Sequence, residues 1–99
     1  MRALAPVDIS VAARALLCFP GAARELAIAR MVKEAEAADR YRKRLGRGHP
    51  LWGNGTLEAA ARNRPLATPK SLSDCDYLSC LALVLDALLT HRHINHRRA

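Results

Sequence analysis

Aromatic and β-branched side chains are scarce in this chain of ninety-nine residues: one Trp, one Phe and two Tyr, with Val and Ile together supplying seven. Strands are built from those residue types, which excludes a sandwich, a barrel or a nucleotide-binding α/β sheet. Cysteine is sparse as well. Cys18, Cys75 and Cys80 make an odd count with no Cys-x-x-Cys pair, so neither a disulfide framework nor a zinc knuckle is signalled. The thiols read as small apolar side chains in a reducing, cytoplasmic compartment. A long hydrophobic run is missing too: residues 78–89 are broken by Ser79, Cys80 and Asp86 and are too short to span a bilayer. The opening residues 1–8 hold no apolar segment of signal-peptide length, so no membrane partner is expected. Acids are in short supply, nine Asp and Glu against sixteen Lys and Arg, for a net charge of +7.

What is abundant is Ala (nineteen) and Leu (fifteen), a third of the chain. Both head the helix-propensity scale, and the length allows one domain. The expectation is a single all-α domain over residues 1–99, with helices at about 8–18, 20–45, 57–63 and 73–93 and a basic tail over 91–99. Asp8 is placed to cap the first helix, in which Val11, Ala12, Ala15 and Leu16 recur at helical spacing. Phe19-Pro20-Gly21 ends it, and Pro20 suits the first turn of the next. In that second helix Ile28, Met31, Ala35, Ala38, Tyr41 and Leu45 form one apolar stripe. Arg30 and Glu34, and Glu36 and Arg40, stand four apart and are expected to pair across a turn. Gly46 provides a glycine stop. Residues 47–55, with three Gly and one Pro, form a loop. Thr56 caps a short third helix, and Ser73, with Asp76 three residues on, is placed to cap the last.

The last helix is apolar almost all round. Leu78, Leu81, Leu85 and Leu88 make a three-four-three seam, flanked by Tyr77, Leu83 and Val84. Such a helix needs neighbours on more than one side. The expected arrangement is an antiparallel hairpin with helix 20–45, and a second subunit covering what remains. Leu78, Leu81, Leu85 and Leu88 are the expected packing and oligomerisation residues of a homo-oligomer.

The charge is not evenly spread. Between residues 40 and 70 there are eight cations and one acid, Glu58, and the tail adds His91, Arg92, His93, His96, Arg97 and Arg98. A helix C-terminus favours cations and accounts for Arg42, Lys43 and Arg44, but not for an excess that continues through two loops. Clustered Arg is the footprint of phosphate-backbone binding, which carries affinity without sequence discrimination. Arg40, Arg42, Lys43, Arg44, Arg47, Arg62 and Arg64 are the expected contacts to double-stranded DNA. A base-reading helix-turn-helix is not expected: the segment Gly21-Ala22-Ala23-Arg24-Glu25 offers one Arg where a recognition helix needs several polar side chains. His91-x-His93-x-x-His96 lacks the four converging ligands of structural zinc. Gly53-x-Gly55 follows no strand and has no Lys-Ser/Thr partner, so it reads as a turn and not a phosphate loop. Trp52 reads as a core or interface anchor beside His49. No nucleophile stands near a base, so no enzyme, cofactor or metal is expected.

Two segments carry a resemblance. One runs from Ala38-Asp39-Arg40-Tyr41-Arg42-Lys43-Arg44-Leu45-Gly46 through His49-Pro50-x-Trp52-Gly53-x-Gly55-Thr56-Leu57 to Ala59-Ala60-Ala61. The other runs from Asp76-Tyr77-Leu78 through Leu81-Ala82-Leu83-Val84-Leu85 to Leu88-Leu89. Together, over about residues 8–90, the chain resembles the small proteins encoded beside the packaging ATPase in alphaproteobacterial gene transfer agents, which look like small terminase subunits. The resemblance implies a phage-like, helical, ring-forming protein that binds DNA and recruits or regulates the large terminase, which carries the ATPase and nuclease. The chain departs from the phage pattern in lacking an N-terminal DNA-reading domain, which suits packaging with little selectivity. The alternatives are a protein-binding adaptor or antitoxin-like regulator whose basic faces meet an acidic partner, and a small nucleoid-associated DNA binder.

Overall fold

The computed structural model describes residues 1–98, with side chains described through Ile94. The chain forms α1 (Pro6–Leu16), a 3-10 turn (Gly21–Ala23), α2 (Arg24–Leu45), α3 (Leu57–Ala61) and α4 (Cys75–Arg98). The all-α fold follows from the Ala- and Leu-rich composition, and no strand occurs among the described residues. The last helix continues through the segment expected as a tail. The side chains of His96, Arg97 and Arg98, and the whole of Ala99, lie outside the described residues.

The helix ends show how local chemistry sets the boundaries. Pro6 occupies the first turn of α1, and Asp8 is a residue of that turn and not its cap: its Oδ2 accepts the Ala5 N–H at 2.7 Å. Its other oxygen accepts the Glu58 N–H at 2.8 Å, so one buried carboxylate satisfies amides at the start of both α1 and α3. Thr56 Oγ1 accepts the Ala59 N–H at 3.1 Å, the expected cap of α3. Gly46 takes φ 72° and donates to the Arg42 carbonyl, closing α2 as a left-handed glycine stop. At α4 the cap is Asp74, whose Oδ1 accepts the Tyr77 N–H at 2.9 Å, and not Ser73. Asp76 reaches instead across to Arg24, at 2.7 Å.

The packing corrects the expected hairpin. Arg24 at the start of α2 meets Asp76 at the start of α4, and Glu36 further along α2 meets His91 further along α4 at 2.8 Å. The two long helices therefore run in the same direction. The antiparallel hairpin is α1 with α2: Arg24 Nε donates to the Leu16 carbonyl at 3.1 Å, and the Met1 amino group, beyond the other end of α1, reaches Glu36. The reason is the connection. Residues 46–74, with α3 inside them, are long enough to return the chain to its starting end, and a parallel pair requires such a crossover. Arg14 fastens that segment to α1, its Nε donating to the Ala67 carbonyl at 2.8 Å while Ala67 N–H donates back to the Arg14 carbonyl.

The core lies where α1, α2 and α4 meet over α3. It is formed by Val11, Ala12, Ala15 and Leu16, by Ala27, Ile28, Met31 and Val32, by Leu57 and Ala61, and by Tyr77, Cys80, Val84 and Leu88. Alanine at so many contact positions lets helix axes approach closely. The apolar stripe of α2 holds as far as Ala38; Tyr41 is half-buried and Leu45 is exposed. The four Leu expected to act as one seam straddle the edge of the buried face: Leu88 is buried, Leu81 packs against the core, and Leu78 and Leu85 are exposed. With α1 and α2 both flanking α4, a single copy closes its own core.

Candidate nucleic-acid interface

The folded chain sorts the cations of the basic region into two sets. Four of the seven expected phosphate contacts have ion-pair partners. Arg42 and Lys43 both hold Asp39, at 2.9 and 3.1 Å. Arg62 holds Glu58 at 2.8 Å on the exposed side of α3. Arg64 grips Glu34 through both terminal nitrogens, at 2.8 and 2.7 Å, a bidentate tie between α2 and the segment after α3. Its geometry makes Arg64 a structural brace. Arg40, Arg44 and Arg47 are exposed and have no ion-pair partner among the described residues.

The acids of α2 explain this sorting. Local spacing paired Glu34 with Arg30 and Glu36 with Arg40, but neither pair forms. Glu34 goes to Arg64, and Glu36 goes to the Met1 amino group at 2.7 Å and to His91 at 2.8 Å. Asp39, only 2% exposed, also lies 3.2 Å from the Met1 amino group. Burial pushes the Asp39 carboxyl up, but hydrogen bonds from Arg42, Lys43 and that amino group outweigh it and hold it well below the usual carboxylate range. Burial acts on Glu36 in the same direction and is overcome in the same way by the amino group and His91, so its carboxyl is also lowered. Glu34 and Glu36 are thus occupied by partners distant in the chain, and Arg30 and Arg40, the cations one turn from them, remain on the surface.

Those cations form a line. Arg30, Lys33, Arg40 and Arg44 are all exposed, and with Ala37 they recur at three- and four-residue steps, which places them on one face of α2. Local spacing had assigned Arg30 to Glu34 and left Lys33 out; the signal that finds both is the helical period extended back from Arg40. Arg47 follows in the loop after α2.

An aromatic step borders the line. The His49 ring stacks on Trp52 with centroids 4.6 Å apart and planes 7° from parallel, and Tyr41 meets His49 edge-on at 4.9 Å. His49 Nδ1 accepts the N–H groups of Leu51 and Trp52, both at 3.1 Å, and His49 and Gly53 exchange backbone hydrogen bonds. The loop that carries Arg47 is therefore built on its own ring stack and turn. Trp52 is half-buried against this step and outside the main core. One open groove is lined by Lys33, Ala37, Arg40 and Trp52 together with Glu34, Glu36 and His91. The two acids are those held by Arg64 and by the Met1 amino group and His91. A second groove lies between Ala37, Arg40, Tyr41, Arg44 and His49. Arg40 stands in both.

The arrangement offers exposed cations on a helix face beside flat rings, a surface for a polyanion. Among the described residues no three His, Cys, Asp or Glu side chains converge as a metal site, and no helix is long and apolar enough to cross a membrane. Fold and surface together define a small helical module with one cationic helix face. The chain belongs to the DUF7742 family, a domain of unknown function, whose model matches residues 2–88. No curated protein and no solved structure matches it.

Proposed function

We propose that this protein is a non-catalytic DNA-packaging adaptor of the small-terminase kind. It self-associates, binds double-stranded DNA with little sequence preference, and recruits or regulates a large terminase in the cytoplasm. The observation that supports DNA binding is the line Arg30, Lys33, Arg40 and Arg44, continued by Arg47, beside acids already held by Arg64, His91, Arg42 and Lys43. From Arg30 to Arg44 the helix rises about 21 Å, the axial length of about six phosphates on one strand. A straight helix face does not follow one winding strand over that distance, but laid along the outside of the duplex it meets phosphates on either side of a groove, and such contacts position a protein without reading bases.

The packaging partner is supported by the resemblance over about residues 8–90, and is tested separately from DNA. The tagged chain, expressed in its native host and purified after nuclease treatment, is expected to bring the packaging ATPase with it. Recovery of an acidic protein of another kind, without the ATPase, would favour the adaptor or antitoxin-like reading. DNA retained with no protein partner would favour a nucleoid-associated binder.

A further inference from the structure

The outer face of α4 carries a stripe that the core does not use. Leu78, Leu85 and Leu89 are 45%, 46% and 55% exposed, and Ala82 between them is exposed as well. The four recur at steps of four, three and four, the spacing at which one helix packs along another. The remaining apolar faces of α4 are engaged: Tyr77, Cys80, Val84 and Leu88 lie in the core, and Leu83 and Ala87 pack against it.

We propose that this stripe is covered by α4 of a second copy of the chain, running antiparallel about a two-fold axis that passes between Ala82 and Leu85. In that register Leu78 lies opposite Leu89 and the small Ala82 opposite the large Leu85, so each bulky side chain faces a position that fits it. Charge selects the direction. Asp74, the cap four residues before Leu78, and Arg92 and His93, three and four residues after Leu89, continue the line of the stripe, whereas Asp76 and His91 face α2, where Arg24 and Glu36 hold them. An antiparallel pair sets the acidic end of each copy beside the basic end of the other, at both ends of the contact, whereas a parallel pair sets acid against acid. Antiparallel macrodipoles favour the same direction. Asp86 flanks the stripe, and its counterpart in the second copy is displaced by about 7.5 Å along the axis, five residues of helix rise. The contact is isologous and closes at two copies, a pair in place of the ring that the resemblance implies. It rests on the self-association proposed above and fixes its geometry. It shares no residue with the cationic line on α2, so the pair carries two such faces.

The test uses the full chain with the exposed thiols removed, Cys18→Ser and Cys75→Ser, and the buried Cys80 retained. Sedimentation at micromolar concentration is expected to give a dimer. Leu85→Glu is expected to raise the dissociation constant at least a hundredfold while leaving helical circular dichroism intact, since Leu85 is outside the core. Leu78→Cys and Leu89→Cys proteins, mixed and treated with a short bismaleimide, are expected to cross-link to each other and not to themselves. Cross-links within each single variant would show a parallel pair and overturn the proposal, as would a larger ring or a dimer that survives Leu85→Glu. A wild-type monomer at 100 µM that still binds DNA would overturn the pairing and leave the DNA-binding reading standing.

Discussion

Replacing Arg40, Arg44 and Arg47 together by Glu is expected to weaken DNA binding at low salt by at least roughly a hundredfold, since it removes three phosphate contacts and adds three repulsive charges. None of the three has an ion-pair partner among the described residues, and all are exposed, so the fold does not depend on them. Glu near the end of α2 opposes the helix dipole by about 0.5 kcal/mol per residue. The corresponding Gln triple avoids that cost, and is expected to lose most of the affinity at nearly unchanged melting temperature. Arg64→Ala is the converse. It leaves Glu34 half-buried without its bidentate partner, and is expected to destabilise the chain by about 1–3 kcal/mol while the DNA affinity of the folded fraction stays unchanged. Fluorescence anisotropy of a labelled duplex and thermal denaturation separate the two roles. Equal loss of DNA binding in both variants would contradict the division into a binding face and a brace.

The second large effect is expected at Gly55. Its φ is +94°, and a Cβ built there would lie 2.8 Å from both Cα and Cβ of Asp39. The overlap is with the helix backbone of α2, which cannot yield as a flexible side chain would. Gly55→Ala therefore combines left-handed strain with steric conflict and is expected to cost about 3–5 kcal/mol. For a domain of this size that is a fall of about 15–30 °C in melting temperature, or failure to fold. Gly46 is the control. It also has positive φ, at +72°, but a Cβ there meets nothing within 4 Å, so Gly46→Ala is expected to cost only about 1–2 kcal/mol. A Gly55→Ala protein that melts with the Gly46→Ala protein would contradict the close seating of the loop on α2, and with it the burial of Asp39 beneath the basic surface.

The helices were legible because their signals are local. Ala and Leu fill them, Thr56 and Gly46 mark ends by chemistry confined to one turn, and the apolar positions Val11, Ala12, Ala15 and Leu16 share one face. Tertiary choices were not. Nothing in residues 46–74 announces that the chain returns to its starting end, so α2 and α4 read as a hairpin when they run in parallel. The apolar character of α4 on almost every side hides which Leu face inward: two interleaved seams exist, and only the position of α1 and α2 decides that Leu88 belongs to the core and Leu89 to the surface.

The same limit governed the basic face. Spacing along α2 assigned Glu34 and Glu36 to neighbours one turn away, whereas the folded chain gives them partners thirty and fifty-five positions distant, Arg64 and His91. A charged pair held by tertiary structure forgoes less side-chain freedom on forming than a pair on an exposed turn. The consequence for the surface was invisible in sequence: Arg30 and Arg40 lose their local acids, and a line of cations appears where two ion pairs were expected.

That line is the centre of the functional reading, and its most direct test is the salt dependence of wild-type binding to two duplexes of unrelated sequence. With about four phosphates neutralised, the logarithm of affinity is expected to fall with the logarithm of salt at a slope of roughly −3.6, or about a hundredfold between 50 and 200 mM, equally for both duplexes. Absence of binding at 50 mM salt, or a strong preference for one duplex with a slope near zero, would contradict it.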